Sequence, residues 1–161
     1  PHPKQEYQEF FGEDYLANLP SRYWISPGGR ALDTVGRFAP QKSVAELAAA
    51  SSRGCAELAE VSHFHIDPFG NYVPGLCAGL SIRREDLGAP LDPEGYSIIS
   101  RLYAKGIGEF LTFAAEEHGF VASKPAYASK CELCYEARRY LGVDRDVDSR
   151  ELQPRVLYLY V

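Results

Sequence analysis

Residues 61–80 read VSHFHIDPFGNYVPGLCAGL, and this stretch decides the fold class. VSHFHI alternates between polar and apolar residues, as a strand with one face buried does. PFGN is a turn signal, and YV resumes as a returning strand. The stretch therefore predicts a β-hairpin that runs into a Gly-rich loop carrying Cys77.

Helical patterns lie on both sides of it. Upstream, Ser43 and Glu46 have the S-x-x-E spacing of a capping box, and VAELAAA continues as a helix. Downstream, Asp92 and Pro93 predict the start of a helix whose inward stripe is Ile98, Ile99, Leu102 and Tyr103, ending at Gly106. A second helix places Phe110, Leu111, Ala114 and Ala115 inward and closes at Gly119. A third, over 131–142, has Leu133, Ala137, Tyr140 and Leu141 as its inward face. RVLYLYV at 155–161 reads as a terminal strand or a packing tail.

At the N-terminal end, residues 4–19 have helical spacing, with Tyr7, Phe10, Phe11 and Leu16 on one side and a stop before Pro20. RYWIS at 22–26 is a strand candidate broken by PGG at 27–29. The expected class is α+β: a β-hairpin with a Cys-bearing loop, packed with several helices. The expected division is 1–42 as a leading segment or linker and 43–161 as a Cys-rich metal-binding domain.

The bulk numbers bound the function. The chain has 161 residues, 45% of them hydrophobic and 24% charged, with a net charge of −5. That composition is globular, and the acidic balance argues against a nucleic-acid partner. No apolar run approaches the roughly 20 residues a membrane helix needs, and the N-terminus lacks the apolar core of a signal peptide. The absence of an initiating Met leads to the expectation that the chain is a piece of a longer protein. Four cysteines without a secretory signal point to metal or redox chemistry in a reducing compartment, with the cytoplasm as the expected location.

Those four are Cys55, Cys77, Cys131 and Cys134. The last two form C-x-x-C at the start of a helix, where the N-terminal dipole favours thiolate over thiol. Cys77 sits in PGLCAG, where glycines let backbone N–H groups approach sulfur, and Cys55 follows SSRG just past a helix end. Four soft anionic ligands suit either Zn²⁺ or an iron–sulfur cluster, and spacing alone does not separate the two. His63 and His65 share one face of the predicted strand and Asp67 follows them. An H-x-H pair of this kind can serve a zinc hydrolase, but that chemistry needs further ligands downstream and only His118 remains. The expected role of His63, His65 and Asp67 is at most a supporting shell around the metal. In SPGGRA, Gly28, Gly29 and Arg30 could face an anion or form a tight turn before a helix.

HFHIDPFGNYVPGLCAGLSI and YASKCELCYEARRYL together resemble the C-terminal portion of radical S-adenosylmethionine proteins, and more narrowly their auxiliary-cluster extensions, the SPASM and twitch domains. The resemblance covers about residues 54–141. It rests on a Cys (Cys55), a Gly in a hairpin turn (Gly70), a second Cys (Cys77) and a later cysteine group (Cys131, Cys134). It implies one auxiliary [4Fe–4S] cluster on the four cysteines, used for electron transfer or substrate positioning, with a structural Zn²⁺ as the alternative. It also implies a partner, the N-terminal radical S-adenosylmethionine barrel of the same full-length protein, with YWISPGGRA as the last piece of that α/β barrel. The C-x-x-x-C-x-x-C motif that binds the catalytic cluster is missing from the chain. The resemblance therefore implies an enzyme part that is not catalytic alone, with S-adenosylmethionine bound only in the N-terminal part.

Overall fold

The computed structural model describes residues 4–23, 25, 30–62 and 64–160. It is α+β: nine helices, among the described residues, accompany two small antiparallel sheets. In chain order the helices are α1 (Lys4–Phe11), α2 (Tyr15–Arg22), α3 (Arg30–Thr34), α4 (Val44–Ala49), α5 (Ala56–Ala59), α6 (Ser97–Lys105), α7 (Ile107–His118), α8 (Lys130–Arg139) and α9 (Leu157–Tyr160). The strands are β1 (Lys42–Ser43), β2 (His65–Ile66), β3 (Tyr72–Val73) and β4 (Ala126–Tyr127).

The core lies among α6, α7 and α8. Ile98, Ile99 and Leu102 of α6 meet Ile107, Phe110 and Ala114 of α7 and Leu133 and Ala137 of α8, and Leu80 and Ile82 close one side. Local chemistry explains several boundaries. Ser43 Oγ accepts from the Glu46 N–H at 3.2 Å and Glu46 Oε2 accepts from the Ser43 N–H at 2.8 Å, so the expected capping box starts α4. α6 ends at Gly106 and α7 at left-handed Gly119, both as expected. Ser129 caps α8 by accepting from the Glu132 N–H at 3.1 Å, and α8 then widens into a π-helical turn over Tyr140–Asp144.

The hairpin forms with His65 opposite Val73 and Ile66 opposite Tyr72. Tyr72 also exchanges two backbone hydrogen bonds with Ile82, at 2.9 and 2.8 Å, which ties off residues 73–81 as a closed loop around Cys77.

Other expectations are corrected. The helix expected over 4–19 is split at Gly12, and its second half runs through Pro20 to Arg22. The aromatic side of α1 is largely exposed, Phe10 to 81%, and its packing among the described residues is limited to α2, where Tyr7 stacks on Tyr15. Of the strand expected at 22–26, Arg22 ends α2 and Tyr23 is a bend, while Trp24 and Ser26 lie outside the described residues, as do Gly28 and Gly29.

Asp92 does not cap a helix. Its carboxylate accepts from the Glu94 and Gly95 N–H groups at 3.1 Å each, making a turn, and α6 begins only at Ser97. Tyr103 and Ala115 are exposed rather than inward, since each sits at the edge of its helix's buried stripe. The chain end is not a strand but packs on the core as the short helix α9, which buries Tyr158.

Candidate metal centre

Three separate segments bring the four cysteines together. Cys55 precedes α5, and its N–H donates to the Leu102 carbonyl at 2.8 Å, which fixes it to the end of α6. Cys77 lies in the tied-off loop. Cys131 and Cys134 sit on the first turns of α8, one turn apart and on one side.

The loop around Cys77 is shaped by two glycines that tolerate no side chain. Gly75 has φ +55°, and a Cβ there would stand 1.8 Å from the Glu57 carbonyl oxygen. Gly79 has φ +80°, and a Cβ there would stand 2.7 Å from the Tyr158 ring. Left-handed backbone and close approach together demand glycine. The consequence is that the loop presses against α5, next to Cys55, and against Tyr158, next to α8. Within it, the Cys77 N–H donates to the Pro74 carbonyl at 3.2 Å, and the Leu80 N–H donates to the Cys77 carbonyl at 3.0 Å.

All four cysteines are free thiols, half-buried, and each lies in electrostatic range of others in the set. Burial pushes Cys77 and Cys131 up to about 12 and raises Cys55 as well. Nearby charge modulates this. Arg138 works downward on Cys77, while Glu57 works upward on Cys131. Without a metal, these buried groups are neutral thiols at physiological pH. Among the described residues, no three His, Cys, Asp or Glu side chains are gathered tightly enough to share one metal ion. The four thiols form a quartet by mutual electrostatic influence.

Two cations flank the quartet. Lys130 lies beside Cys55 and Cys131 and is ion-paired with Glu57, whose carboxylate also accepts from Cys55 Sγ at 3.5 Å. On the other side, Arg138 is only 5% exposed. Its Nη1 donates to the Ala78 carbonyl at 2.9 Å and to Tyr158 Oη at 3.1 Å, and the Tyr135 and Tyr158 rings lie about it. Tyr158 in turn donates to the Gly79 carbonyl. Burial opposes the charge of Arg138. Tyr158, Cys134 and Cys77 outweigh that, so the guanidinium holds its proton more firmly than usual. Its Nε, also buried, has no hydrogen-bond partner among the described residues.

Of the residues expected to support the metal, Asp67 has its bonds within the hairpin turn. Asp67 Oδ1 accepts from the Phe69 and Asn71 N–H groups at 2.9 Å each, and Oδ2 accepts from Asn71 Nδ2 at 3.0 Å. These bonds hold its carboxylate below the usual range, against the upward pull of desolvation. Asp67 is thus the clasp of the hairpin turn. His65 is exposed on β2, and His63 lies outside the described residues.

Sequence reading missed Arg138, Lys130 and Tyr158, which face the thiols. The first two stand in CELCYEARR or directly before it, where a helical wheel places position 138 one turn beyond Cys134. No comparable signal marks Tyr158, which arrives from the chain end. No protein-family model, curated protein or solved structure matches the chain.

Proposed function

We propose that Cys55, Cys77, Cys131 and Cys134 hold a [4Fe–4S] cluster, and that the chain is the accessory-cluster part of a radical S-adenosylmethionine enzyme. The observation that carries this reading is the buried Arg138. A guanidinium enclosed without a carboxylate is costly, by several kcal/mol for an ion stripped of water. Cys77, Cys134 and Tyr158 stand beside it, and burial keeps Cys77 and Tyr158 protonated. Metal ligation turns the thiols into thiolates and supplies the missing negative charge beside Arg138.

The donor set fits the group. Four thiolates match the ligand number of a cubane, and Lys130 and Arg138 offset part of their charge. A single tetrahedral zinc requires sulfurs about 3.8 Å apart, given Zn–S bonds of about 2.3 Å. Zinc held by the same four cysteines, with a structural role alone, is the alternative.

When bound, the cluster supplies one-electron transfer or a position for substrate. The protein's own residues set the conditions. Arg138 and Lys130 place positive charge on opposite sides of the sulfurs, and the half-buried pocket limits solvent. The tied-off loop keeps Cys77 in reach of α8.

In the finer reading of the fold, the hairpin and its Cys-bearing loop with the helices of 43–161 form the auxiliary domain. Residues 1–42 are the end of an α/β barrel, or a linker to one, that binds S-adenosylmethionine. Such an enzyme works in a reducing compartment, the cytoplasm. Among the described residues, no helix is long and apolar enough to cross a membrane.

The test is a set of single Cys→Ser variants purified without oxygen. Each of C55S, C77S, C131S and C134S is expected to lower metal content per chain and melting temperature together. A variant with full metal and unchanged melting removes that residue from the ligand set.

A further inference from the structure

A second site lies on the surface, built from residues that the four-cysteine centre does not use. Arg83, Arg150 and Arg155 line one cleft of about 330 Å³, together with Phe69, Asn71 and Gln153. No carboxylate lines it. Three guanidinium groups gather around this one concavity, two of them paired with carboxylates outside its lining.

The three arginines are held to different degrees. Arg155 is anchored by Asp146 and by the Val147 carbonyl, which accepts from Nη2 at 2.8 Å. Arg150 faces Asp86 at 3.9 Å, but Asp86 also accepts from the Tyr96 hydroxyl at 2.6 Å, which spends part of its charge. The backbone of Arg83 is pinned, its N–H donating to Tyr96 Oη at 3.1 Å beside the Tyr72–Ile82 bridge. Its guanidinium, by contrast, has no ion pair or hydrogen bond among the described residues. The cleft thus carries at least one uncompensated positive charge on a fixed backbone, flanked by two partly compensated ones.

The other walls restrict what can enter. The Asn71 amide is oriented by its bond to Asp67, and the Gln153 amide by its bond to the Ser149 carbonyl at 3.2 Å. Phe69 stands 68% exposed at the hairpin tip, held there by the Asp67 clasp on its N–H, and offers a ring face at the cleft's edge. Guanidinium forks match the oxygens of phosphate in pairs, and an aromatic face stacks on a planar ring. A volume of this size suits a small molecule rather than a protein segment.

The geometry points to a binding site for a small organic phosphate that carries a planar ring, with Arg83, Arg150 and Arg155 on the phosphate and Phe69 on the ring. This site shares no residue with the four cysteines. Its occupancy therefore does not depend on which metal they hold.

Titration calorimetry of the purified chain tests it, with adenosine 5′-monophosphate, ribose 5-phosphate, inorganic phosphate and adenosine as probes at fixed ionic strength. The expected order of affinity is the nucleotide first, then ribose 5-phosphate and phosphate, with adenosine weakest. Arg83→Gln, which breaks no ion pair or hydrogen bond among the described residues, is expected to weaken nucleotide binding by about tenfold or more, the worth of one charge-assisted pair. Phe69→Ala is expected to erase the preference of nucleotide over ribose 5-phosphate while leaving phosphate binding in place. Circular dichroism of both variants secures that they are folded. No binding of any phosphate, or nucleotide binding unchanged in Arg83→Gln, overturns the site. Equal affinity for nucleotide and ribose 5-phosphate in the unmodified chain overturns the ring assignment.

Discussion

Glu151 is buried to 1% exposure, and its two carboxylate oxygens accept from the Ile98 and Ile99 N–H groups at 2.8 and 2.7 Å. It closes the N-terminus of α6 in place of a local cap. Burial pushes it from its ordinary 4.5 up to about 7, against the downward pull of those two amides, of Ser97 and of Arg101. The folded state therefore binds a proton more tightly than the unfolded chain does. Stability from this group is greatest below about pH 4.5 and is lost as pH rises through 7. The full difference corresponds to about 3 kcal/mol, most of which falls between pH 5 and pH 8.

Glu151→Gln removes the ionisation and keeps the shape, although one of the two amides then faces an NH₂ group. At pH 5 the variant is expected to be less stable than the parent by about 1 kcal/mol, one hydrogen bond's worth. By pH 8 it regains about 2–3 kcal/mol relative to the parent. For a chain of this size that is a relative shift in Tm of about 5–10 °C. Thermal melts of both proteins from pH 5 to 8 measure it, and taking the difference cancels every titration the two share. Parallel Tm–pH curves would refute the argument, since they would mean that Glu151 titrates alike in folded and unfolded chains.

Three further outcomes follow from the centre. Arg138→Met leaves the Ala78 carbonyl and the Tyr158 hydroxyl without their donor and removes the charge facing Cys77 and Cys134. It is expected to cost about 3 kcal/mol and to lower metal retention, measured by denaturant melts and metal analysis. Gly75→Ala forces a Cβ against the Glu57 carbonyl, so it should cost about 2–4 kcal/mol and release metal. Gly70→Ala, also at positive φ but in open space, should cost only about 1 kcal/mol and leave metal content alone. Equal effects of these two changes would show that loop closure does not depend on Gly75. Finally, Cys77 and Cys131, pushed up to about 12 by burial, must each surrender a proton to a metal. Apparent affinity in chelator competition is then expected to fall about tenfold per pH unit for each such thiol on acidification. A pH-independent competition would contradict their ligand role.

What the sequence disclosed was local. The Ser43–Glu46 box, the Asp67–Asn71 turn and the glycine ends of α6 and α7 are each set by residues within five positions, and each appears where the pattern places it. The features it concealed are contacts across the chain. Glu151 caps α6 from 52 and 53 residues away, and β1 pairs with β4, Lys42 opposite Tyr127. Neither leaves a periodic trace. Asp92 misled because Asp–Pro suits a turn as well as a helix start, and the turn is what forms. The cysteines were legible as a set. The cations beside them were not, because an Arg in a charged helical run reads as a solvated surface until burial is known.

Iron, zinc and acid-labile sulfide per chain after purification without oxygen, read beside visible absorption, decide whether the quartet holds an iron–sulfur cluster. A brown protein with about four iron and four sulfide per chain is the result the account predicts. One zinc per chain, no sulfide and no colour would contradict it and leave the four cysteines as a structural site.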